Sequence, residues 1–214
     1  MAKKKAAKKL PVNSPSRPRA RGTGAPSQSV VYQFRITLLD MSPSVWRRIQ
    51  TADCTLDTLH QHIQAVMNWS NTHLHHFMIG NRIYGVQEFS PGGMSGHYVF
   101  DSSAIMLSSL LPTSGKKTKF SYTYDFGDNW EHEILFEGCL KPEPRAKYPL
   151  CLEGERARPP EDSGGPLEFG HILKVLANPA HKEYEEVAKF YGSFDPEAFD
   201  PKQATARMVE GLWA

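Results

Sequence analysis

The sequence predicts an α+β fold: a β-grasp-like mixed sheet of order strand, strand, helix, strand, strand, extended by a β-hairpin and followed by C-terminal helices. Three observations lead there. Segments with period-two alternation, the mark of half-buried strands, occur in pairs joined by turn residues. A segment with helical apolar spacing lies between the first two pairs. Apart from one short turn, helical stripes return only from Leu167 onward. Strand pairs flanking one helix within about 55 residues are the element order of a β-grasp unit, in which a sheet wraps a helix.

Val31–Leu38 alternates and is the first expected strand. A turn around Ser42-Pro43-Ser44 leads to its expected antiparallel partner, Val45–Ile49. Thr55 is the expected N-cap of a helix reaching about Trp69, with Leu56, Leu59, Ile63, Val66 and Met67 at helical spacing. His73–Ile79 alternates again, and a Gly80-Asn81 turn leads to Arg82–Tyr84. Residues 85–103, with Pro91–Gly93 and Gly96, read as loop and lack the glycine spacing and lysine of a phosphate-cradling motif. Ile105–Leu111 reads as a short helical turn.

The hairpin carries the densest chemistry. Tyr122, Tyr124 and Phe126 alternate along one arm, and Trp130, His132, Ile134 and Phe136 along the other, which runs to about Glu137. Gly127-Asp128-Asn129 between them tolerates the positive φ of a tight turn. Residues 141–166 hold six of the sixteen prolines and are expected to run as irregular, extended chain. Leu167–Ala177 has a broad apolar helical face, and Tyr184, Val187, Phe190 and Tyr191 form a second stripe. Asp195-Pro196 and Asp200-Pro201 each place a capping acid before a proline at the first helical position.

At 214 residues, 40% hydrophobic and 22% charged, the chain fits one globular domain over 30–214 behind a disordered basic tail over 1–29. No apolar run approaches the roughly 20 residues of a membrane span, so no membrane partner is expected. The N-terminus lacks the apolar core of a secretory signal. The three cysteines, Cys54, Cys139 and Cys151, form no paired motif, and a cytoplasmic setting is expected. Residues 1–21 carry eight basic side chains and no acid, leaving 17 basic against 23 acidic residues and a balance of −6 elsewhere. That tail could hold nucleic acid by neutralising phosphates, or act only as a solvated extension.

Candidate ligand-binding residues follow from chemistry and spacing. His73 and His75 lie two apart in an expected strand and would share a face, as His-x-His metal ligands do. His132, Asp125 or Asp128 on the hairpin could add a third ligand; carboxylate and imidazole together suit zinc, iron or manganese. The simpler expectation is no metal and no cofactor, the histidines lining a sheet face beside carboxylates. Asp125, Asp128, Glu131, Glu133, Glu161 and Asp162 could act as paired acids, Glu131 and Glu133 more simply lining a solvated strand face. More simply, Asp128 serves the turn, and Glu161 and Asp162 pin a loop by meeting Arg47 or Arg48. Trp46, Trp69 and Trp130 with Tyr124, beside Arg47 and Arg48, have the composition of a base-stacking surface, and equally that of a core. There is no nucleophile elbow, dinucleotide fingerprint or Walker loop.

Four motifs occur in order: Val45-Trp-Arg-Arg48, His73-Leu-His75, Tyr124-Asp-Phe-Gly-Asp-Asn-Trp-Glu-His132 and Pro159-Pro-Glu-Asp-Ser-Gly-Gly165. In these the chain resembles the plasmid pRiA ORF-three-like family, also labelled insertion-element passenger proteins of TnpR type, over about residues 30–200. The family is named for a plasmid reading frame and implies no settled activity. The chain shows no serine-recombinase catalytic domain to match the resolvase that the TnpR label suggests. Arg158 stands where the family often has cysteine, and Ser163 where it sometimes does, so a cysteine-based metal cluster in relatives would not extend to this chain. The expected role is a non-enzymatic binding or accessory module of a mobile-element-associated family; the alternatives are a metal-assisted hydrolase, with His73, His75, Asp125, Asp128 and His132 contributing, and a structural adaptor for a protein partner.

Overall fold

The computed structural model describes residues 30–86, 98–112 and 114–211. The expected tail over 1–29 and Gly92, Gly93 and Gly96 of the expected loop lie outside the described residues. Eight strands form one mixed sheet: β1 Val31–Leu38, β2 Val45–Ala52, β3 His75–Ile79, β4 Arg82–Gly85, β5 Val99–Asp101, β6 Thr118–Tyr124, β7 Trp130–Leu140 and β8 Leu150–Glu155. The helices are α1 Leu56–Met67, α2 Leu107–Leu110, α3 Gly165–Leu176, α4 Tyr184–Tyr191 and α5 Pro201–Glu210. The protein is therefore α+β.

The strand order is β5-β4-β3-β6-β7-β1-β2-β8, antiparallel throughout except for the parallel pair β4 and β5. The β-grasp detail is not confirmed. The two early hairpins do not border one another, because β6 and β7 lie between β3 and β1. The aromatic hairpin is thus the middle of the sheet rather than an extension at its edge.

Alternation decides which side chains are buried. Phe34 and Ile36 of β1, Ile49 of β2, Phe77 of β3, Tyr122 of β6 and Trp130, Ile134 and Phe136 of β7 are fully buried, in one cluster with Leu56, Leu59, Ile63 and Val66 of α1. Aromatic side chains of this size dominate core energetics. Thr55 caps α1 by accepting from the Thr58 amide at 3.1 Å, and Asn68 ends it in the left-handed conformation. On the opposite face of the sheet, Arg48 of β2 reaches across β1 to Glu137 of β7 with two bonds of 2.8 and 2.9 Å, and also pairs with Glu153 of β8. Arg35 lies 4.2 Å over the Trp46 ring on that face.

Several elements depart from the sequence reading. The proline-rich segment contains β8, which pairs with β2. The 85–103 segment contributes β5, which pairs with β4. β7 continues to Leu140 through Gly138 at φ 145°. The hairpin turn spans Asp125 to Asn129, and Phe126 is exposed in it rather than alternating along β6. Asp200 caps α5 at the amides of Lys202 and Gln203, whereas Asp195 accepts from the Glu197 amide in a turn that starts no helix. No helix among the described residues is long and apolar enough to cross a membrane.

Candidate functional site

Three loops meet at one end of the central strands: residues 68–74 between α1 and β3, the hairpin turn 125–129, and residues 158–164 ahead of α3. The first loop is set by a polar layer beneath it. The Tyr122 hydroxyl accepts from Gln64 at 3.0 Å and donates to Nδ1 of His60 at 2.8 Å. His60 then carries its proton on Nε2 and donates to Asn71 at 2.8 Å, a tautomer assigned from this network. Gln64 in turn accepts from the Asn71 amide at 3.1 Å, and the Tyr124 hydroxyl accepts from the Thr72 amide at 3.2 Å. His73 follows directly.

The third loop runs beside the first. Arg158 donates to the Asn68 carbonyl at 3.0 and 3.2 Å, and Trp69 Nε1 donates to the Pro159 carbonyl at 3.2 Å. Glu161 accepts from the Ser70 amide at 2.7 Å and from its hydroxyl at 2.9 Å. At its end the loop locks onto the hairpin turn: the Gly164 amide donates to Asp128 at 3.1 Å, and Gly165 sits against the Asp128 carbonyl at φ 76°. A Cβ at Gly165 would overlap that carbonyl oxygen, so only glycine fits there.

These contacts bring His73, Asp125 and Asp162 together. His73 Nε2 is 3.2 Å from Asp162 Oδ1 and 3.7 Å from Asp125 Oδ2, and one potential ligand atom from each of the three lies within 4.8 Å of the others. Both acids are in the left-handed conformation, at φ 56° and 53°, which aspartate tolerates better than most residues. Asp125 Oδ1 accepts from the Gly127 and Asp128 amides at 2.9 and 3.3 Å, so its other oxygen is left to face His73. His73 Nε2 is shielded from solvent yet makes no hydrogen bond, because neither carboxylate is aligned with it. An imidazole nitrogen facing two carboxylate oxygens out of hydrogen-bond alignment is what a cation-binding site offers.

Other predicted residues do not join this cluster. β3 begins at His75, so His73 lies ahead of the strand and the two do not form a His-x-His pair. His75 is buried and stacks on His60 with ring centroids 3.4 Å apart. His132 is fully buried in β7 against Trp69 and Tyr122. Burial pulls His60 and His132 down to about 4 and His75 to about 3, so all three are neutral near pH 7. His75 and His132 thus do not join His73; among the described residues, His73, Asp125 and Asp162 are the cluster with metal-ligand geometry.

Trp46 lies beneath Arg35, and Trp69 and Trp130 are core residues, so they form no open stacking surface. Glu161 and Asp162 meet Ser70 and His73 rather than Arg47 or Arg48. Arg47 is 2% exposed and bonds only backbone carbonyls. The sequence reading missed His60, Gln64 and Asn71, which position His73. Their signal was a polar pair four residues apart on an otherwise apolar helix face, followed by an asparagine four residues past the helix end.

With the fold and this loop cluster established, the chain can be placed. It belongs to the plasmid pRiA4b ORF-3-like protein family, whose model matches residues 30–203. Among its relatives is the uncharacterised protein y4hQ of Sinorhizobium fredii, 35% identical over 166 residues that cover 77% of this chain and 82% of that protein. The crystal structure of a protein of unknown function, MM3350 from Methanosarcina mazei Go1, is similar with a TM-score of 0.72 and 35% identity. That match covers 82% of this chain and 98% of the other.

Proposed function

We propose that this protein is a binding module that holds a small oxygen-bearing ligand through a divalent cation at His73, Asp125 and Asp162. The observation that carries the reading is the buried, unbonded Nε2 of His73 facing oxygens of both aspartates. A borderline ion such as zinc, manganese or iron(II) suits one imidazole and two carboxylates, and three protein ligands leave coordination positions for the ligand or water. The hydrolase reading rests on the same three residues. Neighbouring Asp128 and Glu161 accept from backbone amides, at Gly164 and Ser70, which makes them loop anchors rather than free general bases and favours binding.

The test is calorimetric titration with zinc and with manganese, alongside elemental analysis of untagged protein purified without chelator. We expect close to one ion per chain, with affinity falling at least tenfold in His73→Ala and Asp162→Asn. His171→Ala, which removes a surface pair with Glu183 and an edge-on contact with His181, should bind as the parent does. Equal binding by all four proteins would refute the assignment. In the same reading the eight basic residues over 1–21 assist contact with nucleic acid. A gel-shift that fails at low salt, where phosphate contacts are strongest, removes that part alone.

A further inference from the structure

A second site lies where the C-terminal end of α1 meets α5. Arg47 from β2, Arg158 from the third loop and Arg207 from α5 line a cleft of about 550 Å³, a size typical of small-ligand sites. Val66, Phe194 and Phe199 form apolar wall around the three cations. The arginines satisfy the end of α1: Arg47 donates to the Val66 carbonyl, Arg158 to Asn68 and Arg207 to Ala65.

That capping role is too small to account for three guanidinium groups. A helix C-terminus presents about half a negative charge. Among the described residues no carboxylate lies within ion-pair distance of any of the three; Arg48 and Arg156 are the arginines that make such pairs. Asp195 and Asp200 also line the cleft, but both are exposed at its rim. Each gives an oxygen to backbone amides, at Glu197 and at Lys202 and Gln203. Solvent screens such rim charges, and Arg47, 2% exposed on the floor, has no carboxylate partner, only the carbonyls of Val66, Trp46, Glu155 and Arg156 and the Phe199 ring 3.9 Å away.

We propose that this cleft binds a small organic oxyanion, its charged group held by Arg207 and Arg158 over the buried charge of Arg47 and its apolar or aromatic body against Phe194 and Phe199. The electrostatics agree. Burial lowers the Arg47 pKa to about 10 and shifts Arg158 and Arg207 down as well, and Arg207 adds repulsion to both of the others. A bound anion relieves that cost, and guanidinium is the group best shaped to take a phosphate or carboxylate bidentately. The site is independent of the metal reading.

The experiment follows the arginine Nε–Hε resonances of the full-length protein during titration with inorganic phosphate, phenyl phosphate and benzoate, at constant ionic strength set with chloride. The expected result is saturable shifts at Arg47, Arg158 and Arg207, with an aromatic anion at least tenfold tighter than inorganic phosphate. Tighter binding of phenyl phosphate assigns a phosphoryl ligand, and of benzoate a carboxylate. Gln203→Glu and Ala198→Glu place a carboxylate at exposed cleft positions without removing any arginine bond. Each should weaken binding at least tenfold with the unfolding midpoint unchanged, while Asp162→Asn leaves it intact. Non-saturating shifts common to all three anions, or saturable binding that neither glutamate variant weakens, would overturn the proposal.

Discussion

Four histidines, His60, His62, His75 and His132, are buried and have pKa values pulled down to about 4, 4, 3 and 4 by desolvation. The sign follows directly. A lowered folded pKa means the unfolded chain binds more protons below about pH 6.5, so stability is complete above that value and falls as pH drops toward 4. Each group costs about 1.4 kcal/mol per pH unit where only the unfolded form is protonated, so four together approach about 5.6 kcal/mol per pH unit. Against a typical stability of about 5–15 kcal/mol, we expect cooperative unfolding before pH 4. Circular dichroism during acid titration checks this, and a native spectrum at pH 3.5 would contradict it. His132 adds a test of its own, since its Nε2 has no partner and its ring is enclosed by aromatic side chains. Its Nδ1 donates to the Tyr122 carbonyl at 3.3 Å, so phenylalanine there forfeits one hydrogen bond, worth about 0.5–1.5 kcal/mol. His132→Phe should therefore cost about 1 kcal/mol at pH 7.5 and should show a shallower loss on going to pH 5 in urea titrations.

At the scale of elements, the site depends on how the third loop grips the hairpin turn. Gly165→Ala combines a Cβ overlap with the Asp128 carbonyl and a φ of 76°. Overpacking and left-handed strain together cost about 2–4 kcal/mol, and displacing the loop should separate Asp162 from His73 and weaken metal binding. Gly170 lies inside α3, where a Cβ would meet nothing within 4 Å, and serves as the internal control. Gly170→Ala should be neutral or stabilising by up to about 1 kcal/mol. Chemical denaturation of the two variants makes the comparison, and equal midpoints would show that the loop is not clamped. Period two and period 3.6 made β1, β2, α1 and the hairpin legible in the sequence, along with the caps at Thr55 and Asp200. β8 was hidden because prolines flank it and it lies at the sheet edge, where only one neighbour constrains the pattern. Asp125 and Asp162 were visible as chemistry but not as a pair. What joins them is the turn at Asp125 and the Gly165 contact, and neither leaves a periodic trace.

For the whole molecule, the position of the aromatic hairpin is decisive. β6 and β7 have strand neighbours on both sides, whereas β5 and β8 are the edges. Native-state hydrogen exchange should therefore be slowest in β6, β7 and β1 and fastest in β5 and β8. Faster exchange in β7 than in β8 would refute that ranking. Strand order cannot be read from local alternation, which is the same for a central and an edge hairpin, and this is why the sequence points to a hairpin at the margin. Its central place also has a consequence for biosynthesis. β1 finds its second neighbour in β7, β2 in β8, β3 in β6 and β4 in β5, so residues 30–85 emerge from the ribosome with four strand edges unpaired. At about 5–20 residues per second, roughly 3 to 11 s of translation separate the end of β4 from the end of β7. During that interval the inner edges that β1 and β3 present to the missing hairpin stay open, which makes the nascent chain a substrate for holding chaperones until residue 140 arrives.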